Sequence, residues 1–289
     1  MPFLEVLKIL LLGIIEGITE WLPVSSTGHL ILTERFFPLD KTIFSEGFLG
    51  VFEYVVQLAA ILAVVISFWK KIFPLGFQKQ EGKHTLYLKK NILSLWGKII
   101  VACVPALLAF VVDKLLMENL NETAETVLIC CALIFYGLVF IIIEKFSANR
   151  APKVTETAQL SYKTAFFIGC FQLLAIIPGT SRSGITIIGA LLLLVSRETA
   201  AEFTFFLAIP TMVGASGYKI LDFMLEGGVL TTPEWIAMFL GCAVAFAVSM
   251  LTIRFLMKFV KKHGFSIFGW YRIALGVLVI CSLVLPKLF

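Results

Sequence analysis

Long apolar stretches recur along the whole chain, and they constrain its fold more than any other feature. They lie at residues 3–22, 44–69, 92–112, 126–143, 164–178, 185–196, 201–221, 235–257 and 267–285. Most reach the ~20 residues that a helix needs to cross the ~30 Å hydrocarbon core of a bilayer. The 59% content of hydrophobic residues and the mean hydropathy of +0.96 also exceed the values of a soluble domain. We therefore predict an all-α polytopic membrane protein, with residues 1–289 in a single membrane domain.

Two apolar stretches are too short to cross a bilayer as single helices. They are residues 185–196 and a further candidate at 24–33. We interpret each as one arm of a re-entrant hairpin that is formed with the stretch before it. About six other spans then bring the total to about ten helices. The first stretch is too long and too acidic for a cleavable signal peptide, so we assign it to the mature fold.

Charged residues in the connections are separated by sign, which predicts the topology. The basic connections contain Lys70, Lys71, Lys79, Lys83, Lys89 and Lys90, then Lys145, Arg150, Lys153 and Lys163, then Lys258, Lys261 and Lys262. The acidic connections contain Asp113, Glu118, Glu122 and Glu125, then Asp222, Glu226 and Glu234. Basic loops mark the cytoplasmic side, so the net charge of +5 indicates membrane topology and no nucleic-acid partner. For the basic connections to share one side, the two segments of each predicted hairpin must enter and leave the membrane on the same face. Counting the spans from there places both termini outside.

A weak internal repeat appears when the sequence is shifted by 156 residues. The coincident pairs are Gly13 with Gly169, Glu16 with Gln172, Ser25 with Ser181, Thr27 with Ser183 and Gly28 with Gly184. At an offset of 149 residues, EYVVQLA from Glu53 also matches EFTFFLA from Glu202. Chance identity between apolar segments is the alternative explanation.

The repeat divides the chain into halves 1–145 and 150–289, each a hairpin followed by three spans. Because three is an odd number, the second half starts from the opposite side of the membrane, and the repeat is inverted. Such repeats hold their site near the membrane midplane, where broken helices meet. The two hairpins are therefore predicted to meet there.

The first polar cluster is EGITEWLPVSSTGH, residues 16–29. Glu16 and Glu20 are four residues apart, so a helix places them on one face. Unpaired carboxylates are costly in lipid, so we predict that this pair binds a cation. The alternative is a helix end at the interface, where both carboxylates are solvated.

The same cluster supplies groups that suit an anion and a nucleophile. After Pro23 interrupts the helix, Ser25 to Gly28 offer hydroxyls and a turn in the backbone. His29 lies three residues after Ser26, which allows a nucleophile and base pair or protonation of a leaving group by the imidazolium. A histidine that is merely solvated at the interface is the alternative.

The second polar cluster is IPGTSRSGIT, residues 177–186. We expect it to end one helix at Pro178 and to start another after Gly184, with backbone amides that favour an anion. The predicted phosphate ligands of the two clusters are Ser25, Thr27, Gly179, Thr180, Ser181, Arg182 and Ser183. Arg182 is the strongest of them, because its planar fork suits bidentate contact with phosphate. Alternatively, Arg182 pairs with Glu16 or Glu20 only to hold the hairpins together.

These residues together describe a membrane cavity with a cation site and an anion clamp, which fits a phosphate-bearing lipid. Hydrolysis and transport both remain open at this point. The motifs EGITEWLPVSSTGH and PGTSRSG resemble those of the undecaprenyl-diphosphate phosphatases, also called bacitracin-resistance proteins. Trp21 replaces the phenylalanine of the family motif, and Ala59 replaces a usual glycine in a more weakly similar segment.

The resemblance implies hydrolysis of undecaprenyl diphosphate to the monophosphate in the bacterial plasma membrane, with a site that opens to the extracytoplasmic side. It also implies a divalent cation, Mg²⁺ or Ca²⁺, and places the family's functional positions on Glu16, Glu20, Ser26, Thr27, His29, Ser181 and Arg182. Ser26 is then the candidate nucleophile, with His29 as its base or as the acid at the leaving group. Glu16 and Glu20 hold the cation or orient His29.

Two alternatives remain open on this interpretation. A metal-activated water could attack the phosphorus in place of Ser26. A polyprenyl-phosphate flippase is the alternative function, because an inverted repeat with a midplane site is also typical of transporters.

Overall fold

The computed structural model describes residues 1–80, 83–116, 122–148 and 150–281, and these are almost entirely helical. The α-helices are α1 (Phe3–Thr19), α2 (Ser26–Phe36), α3 (Phe48–Ser67), α4 (Trp69–Ile72), α5 (Lys90–Leu116), α6 (Glu122–Ala148), α7 (Tyr162–Gln172), α8 (Arg182–Leu192), α9 (Arg197–Leu225), α10 (Thr232–Lys262) and α11 (Ser266–Val279). Short 3₁₀ helices lie at Thr157–Gln159 and Leu173–Ile176. The all-α prediction is confirmed.

Within the described residues, 5 helices are long and apolar enough to cross a membrane. They are Phe48–Ser67, Lys90–Leu107, Ala124–Ser147, Arg197–Leu225 and Thr232–Lys262. These helices confirm a polytopic membrane protein. The sequence predicted about six such spans, and the sixth corresponds to α11, which has 14 residues in the structure. The predicted apolar stretch at 267–285 continues beyond residue 281, outside the described residues.

The two short helices have the predicted length and neighbours. Both α2 and α8 contain 11 residues, which corresponds to about 16 Å, or about half of the hydrocarbon core. Each packs against the helix before it, α2 on α1 and α8 on α7. Neither can cross a bilayer alone, and the re-entrant path itself stays a prediction.

Corresponding helices of the two halves make corresponding contacts. Helix α1, the first of the first half, packs against α10, the next-to-last helix of the second half. In the same way, α7, the first α-helix of the second half, packs against α5, the next-to-last helix of the first half. At Gly13, a Cβ atom would stand 2.9 Å from the carbonyl oxygen of Gly241. At Gly169, a Cβ atom would stand 2.1 Å from the carbonyl oxygen of Ala102. Both glycines therefore allow close helix packing, at positions that correspond in the two predicted halves.

The final helices of the halves, α6 and α11, also cross at a pair of glycines. A Cβ atom at Gly137 would stand 2.7 Å from the carbonyl oxygen of Gly269, and one at Gly269 would stand 2.6 Å from that of Gly137. This reciprocal contact is what a two-fold relation between the halves would produce.

The first basic connection contains structure that the sequence analysis did not predict. Strands β1 (Leu75–Gln80) and β2 (Lys83–Leu88) form an antiparallel pair, with Leu75 opposite Leu88. The predicted acidic connection around Glu118 lies outside the described residues.

Candidate functional site

The turns before α2 and α8 have matching and strained backbones. Ser25 has φ of 76° and Ser181 has φ of 68°, and the two serines are repeat partners. Each is the N-cap of its helix, because its Oγ accepts a hydrogen bond from the amide of Gly28 or Gly184. Positive φ is costly for residues with a side chain, about 1–3 kcal/mol each, and it persists where the surrounding structure enforces it. Two such residues at matching positions mark these turns as the candidate site.

The start of α8 differs from the sequence prediction. We expected a helix after Gly184, but α8 begins at Arg182, because the side chain of Ser181 caps it. Arg182 is thus the first residue of α8, as Ser26 is the first residue of α2. The side chains of these two residues leave the matching turns at the same position.

Glu20 joins the two turns. Arg182 Nη2 donates to Glu20 Oε1 at 2.7 Å, and Ser26 Oγ donates to Glu20 Oε2 at 2.5 Å. The carboxylate is 6% exposed, so water screens these contacts little. The structure therefore brings together three predicted site residues that two separate motifs supply. The pairing of Arg182 with a glutamate, which the sequence left as an alternative, is present.

Glu16 lies one turn before Glu20 and is fully buried. Neither of its carboxylate oxygens has a hydrogen-bond partner in the described part of the chain. Burying such a group without a partner is costly, and carboxylate oxygens are the ligands that Mg²⁺ and Ca²⁺ prefer. The predicted cation site fits this orphaned carboxylate. The described residues contain no cluster of three or more His, Cys, Asp or Glu that could hold a metal, so hydroxyl, carbonyl or phosphate oxygens would have to complete it.

His29 lies beside Ser26 in sequence but forms its hydrogen bonds elsewhere. Its Nδ1 lies 2.6 Å from the carbonyl oxygen of Ser25, and its Nε2 lies 2.7 Å from Tyr271 Oη. The two rings are stacked with centroids 5.7 Å apart. Because a carbonyl only accepts, Nδ1 carries the proton, and Nε2 of the neutral imidazole accepts from the tyrosine. Before His29 can act as the base of Ser26, its imidazole has to give up one of these hydrogen bonds and accept one from the serine hydroxyl.

The remaining predicted phosphate ligands all lie in the two turns or in the first helical turn after them. Thr27 is exposed, and Thr180 has a buried hydroxyl with no partner among the described residues. Ser183 instead braces the first turn, because its Oγ donates to the carbonyl oxygens of Glu20 at 3.2 Å and Leu22 at 3.4 Å. Thr180, which is 1% exposed, thus carries a hydroxyl of the second turn that has no protein partner among the described residues.

Two residues of α11 at this site were not predicted. Tyr271 contacts His29, and the fully buried Arg272 donates to backbone carbonyls of both turns. The signal for Arg272 was present in the sequence, because it is a charged residue inside an apolar stretch. A cavity of about 710 Å³ lies elsewhere, at the ends of α6, α9 and α10 and the start of α11, and no predicted site residue lines it.

Comparisons with known proteins cover nearly the whole chain. The family model "Bacitracin resistance protein BacA" matches residues 9–278. A protein of Enterococcus faecalis named undecaprenyl-diphosphatase is 52% identical over 281 residues, covering 97% of this chain and 98% of its own length. Proteins of the same name from Lachnoclostridium phytofermentans and Streptococcus agalactiae are 50% and 48% identical, covering 96% and 100% of this chain and 97% and 100% of their own lengths.

Proposed function

Because the chain belongs to the bacitracin resistance protein BacA family, we propose that it hydrolyses undecaprenyl diphosphate to undecaprenyl phosphate and inorganic phosphate. The relatives that are about 50% identical match over nearly their full length, and they are named undecaprenyl-diphosphatase. The observation that supports this activity best is the bridge of Glu20 between Ser26 and Arg182. Regeneration of the lipid carrier for peptidoglycan synthesis and resistance to bacitracin follow from the family.

Ser26 is the nucleophile in this proposal. Its Oγ bonds to the terminal phosphorus, the bond from that phosphorus to the bridging oxygen breaks, and undecaprenyl phosphate leaves. The hydroxyl proton passes to Glu20 Oε2, which already accepts its hydrogen bond. Protonation removes the negative charge of Glu20, so Arg182 becomes free to pair with the phosphoryl oxygens as charge develops on them. Water then hydrolyses the phosphoserine and releases phosphate.

The other predicted ligands position the diphosphate. Thr27, Thr180 and the amides at the start of α8 face an anion at the paired turns, where the helix dipole favours it. Glu16 would hold the divalent cation, Mg²⁺ or Ca²⁺, and Glu20 would be a second ligand only while it is ionised, before it takes the proton of Ser26. When bound, the cation supplies Lewis-acid stabilisation of phosphate charge. As an imidazolium, His29 would protonate the leaving oxygen, and as a neutral imidazole it would assist the attacking water. Direct attack by water, with Ser26 only binding phosphate, is the competing route.

In this proposal the site opens to the extracytoplasmic side of the bacterial plasma membrane, as the family resemblance implies. The separation of basic from acidic connections supports the orientation of the spans, with the basic connections in the cytoplasm. A flippase function has no support from the family or from the named relatives, so hydrolysis is the function proposed here.

Phosphate release from undecaprenyl diphosphate by the purified protein in detergent tests the proposal. We expect the parent protein to release phosphate, and we expect a chelator to lower that release. Ser26→Ala should abolish turnover with lipid binding nearly intact, whereas Ser216→Ala, which alters a buried serine of α9, serves as the control. A folded parent that releases no phosphate would contradict the function, and an active Ser26→Ala variant would favour attack by water.

A further inference from the structure

A single buried guanidinium binds the same position of both hairpin turns. Arg272 of α11 is 0% exposed. Its Nη1 donates to the carbonyl oxygen of Pro23 at 3.3 Å, and its Nη2 donates to that of Gly179 at 2.8 Å. Pro23 and Gly179 are 156 residues apart, which is the offset of the repeat. Arg272 therefore contacts repeat partners, one from each half of the chain.

Each of these two carbonyls precedes a residue of the proposed reaction by the same number of residues. Ser26 follows Pro23 by three residues, and Arg182 follows Gly179 by three residues. The side chain of Glu20 binds Ser26 and Arg182 together. The two turns are thus joined twice, once through their carbonyls by Arg272 and once through their side chains by Glu20.

The chemistry of Arg272 suits a rigid joint. Its charge has no carboxylate partner in the described part of the chain, and a third bond goes to the carbonyl oxygen of Ala132 at 3.4 Å. Burial of a charge without a counter-ion is costly, and here carbonyl dipoles and the ring of Tyr136, 5.9 Å away, offset part of that cost. A planar fork donates in fixed directions, so it sets the separation of its acceptors, whereas a lysine ammonium is a flexible point charge.

We propose that Arg272 is a positioning residue for the phosphatase reaction, because it holds the two turns at the separation at which Glu20 reaches Ser26 and Arg182 together. It binds backbone carbonyl oxygens of the turns and contacts none of the reacting atoms. The inference rests on the proposed function for its kinetic consequence, while the joint between the turns can be measured without any substrate.

The first test is Arg272→Lys, with Phe268→Ala as the matched control. Phe268 lies four residues earlier in α11 and is largely buried, but it packs against Phe259 and Phe265. Displacement of reacting groups by about 1 Å costs on the order of 100-fold, so kcat per folded molecule should fall about 10- to 100-fold in Arg272→Lys. Phe268→Ala should lower the melting temperature and leave kcat per folded molecule unchanged. Equal kcat values for Arg272→Lys and the parent would overturn the proposal.

The second test is a double-mutant cycle with Arg182→Lys. If Arg272 acts by positioning Arg182, the two losses overlap, and the double variant should lose clearly less activity than the product of the single losses. The cycle of Phe268→Ala with Arg182→Lys should be multiplicative. A multiplicative cycle for Arg272 as well would show a role unrelated to the paired turns and would overturn the proposal.

The third test is amide hydrogen exchange, which needs no activity. Arg272→Lys should speed exchange in both turns, residues 23–28 and 179–184, and Phe268→Ala in neither. A parent without phosphatase activity would refute the proposed function, but exchange would still decide whether Arg272 joins the turns. If Arg272→Lys does not fold, Arg272→Gln replaces it. Exchange that rises in one turn only, or failure of both variants to fold while Phe268→Ala folds, assigns Arg272 to general stability and overturns the proposal.

Discussion

Replacing Arg182 with lysine separates the two roles that its position in the structure allows. Arg182 pairs with Glu20 at 2.7 Å and could serve only to hold the hairpins together. It also stands at the first position of α8, where its remaining donors could bind the phosphates. Lysine keeps the positive charge and can keep the ion pair, but it loses the planar fork.

The structure indicates how large the effect should be. A guanidinium has five N–H donors. In Arg182, Nη2 binds Glu20 and Nη1 lies 3.5 Å from the carbonyl oxygen of Thr204. The side chain is 15% exposed, so donors remain for phosphate oxygens. Loss of one charge-assisted contact in the transition state should cost about 2–4 kcal/mol, or roughly 30- to 1,000-fold in rate. Stability should change little, because lysine retains the pair with Glu20.

The assay is turnover per folded molecule together with melting temperature in detergent. Arg197→Lys is the matched control, because Arg197 is the first residue of α9 and pairs with the buried Glu144, away from the site. It should retain full turnover. A stable and fully active Arg182→Lys variant would remove Arg182 from the catalytic residues. An unstable variant with normal turnover per folded molecule would show that Arg182 only joins the hairpins.

Three further measurements address the cation, the histidine and the topology. Glu16→Gln replaces a buried carboxyl that has no hydrogen-bond partner in the described part of the chain, so in chelator it should melt at a higher temperature than the parent, yet added Mg²⁺ or Ca²⁺ should stabilise only the parent. Equal stabilisation of both proteins would exclude Glu16 as a ligand. Tyr271→Phe keeps the stacked ring but loses the hydrogen bond to His29, worth about 1 kcal/mol, so kcat should fall about fivefold, and an unchanged kcat would show that Tyr271 does not orient His29. Cysteines at Lys153 and Glu226 should react with an impermeant maleimide from opposite sides of the membrane, whereas labelling from one side would refute the predicted topology.

The sequence predicts those features that depend on local pattern or on the cost of polar groups in lipid. Apolar length indicated the long helices, because a helix that spans a bilayer needs ~20 apolar residues. The same cost identified Glu16, Glu20 and Arg182, because charged residues in apolar segments need a partner or a cavity. The repeat offset also corresponds to a feature of the structure, because it relates Ser25 to Ser181, and both serines have a positive φ.

The features that escaped prediction depend on how the chain folds back and how separate segments meet. The sequence offered His29, three residues later, as one possible partner of Ser26, whereas in the structure Glu20, six residues earlier, accepts the hydrogen bond of Ser26, because the chain turns back after α1. Arg272 lies 249 residues from Pro23, so no local pattern could assign its partners. The start of α8 was misplaced because capping by Ser181 depends on a positive φ that glycine usually supplies.

The halves agree in backbone and differ in the side chains that would carry the chemistry. The strained serines, their caps and the carbonyls bound by Arg272 all have partners at the same offset. The carboxylate of Glu16 corresponds to the amide of Gln172, which is also buried without a partner for its Oε1 among the described residues. The hydroxyl of Ser26 corresponds to the guanidinium of Arg182. A symmetric frame thus presents a hydroxyl and a carboxylate from one half and a guanidinium from the other, which is the asymmetry that the proposed attack on a diphosphate requires.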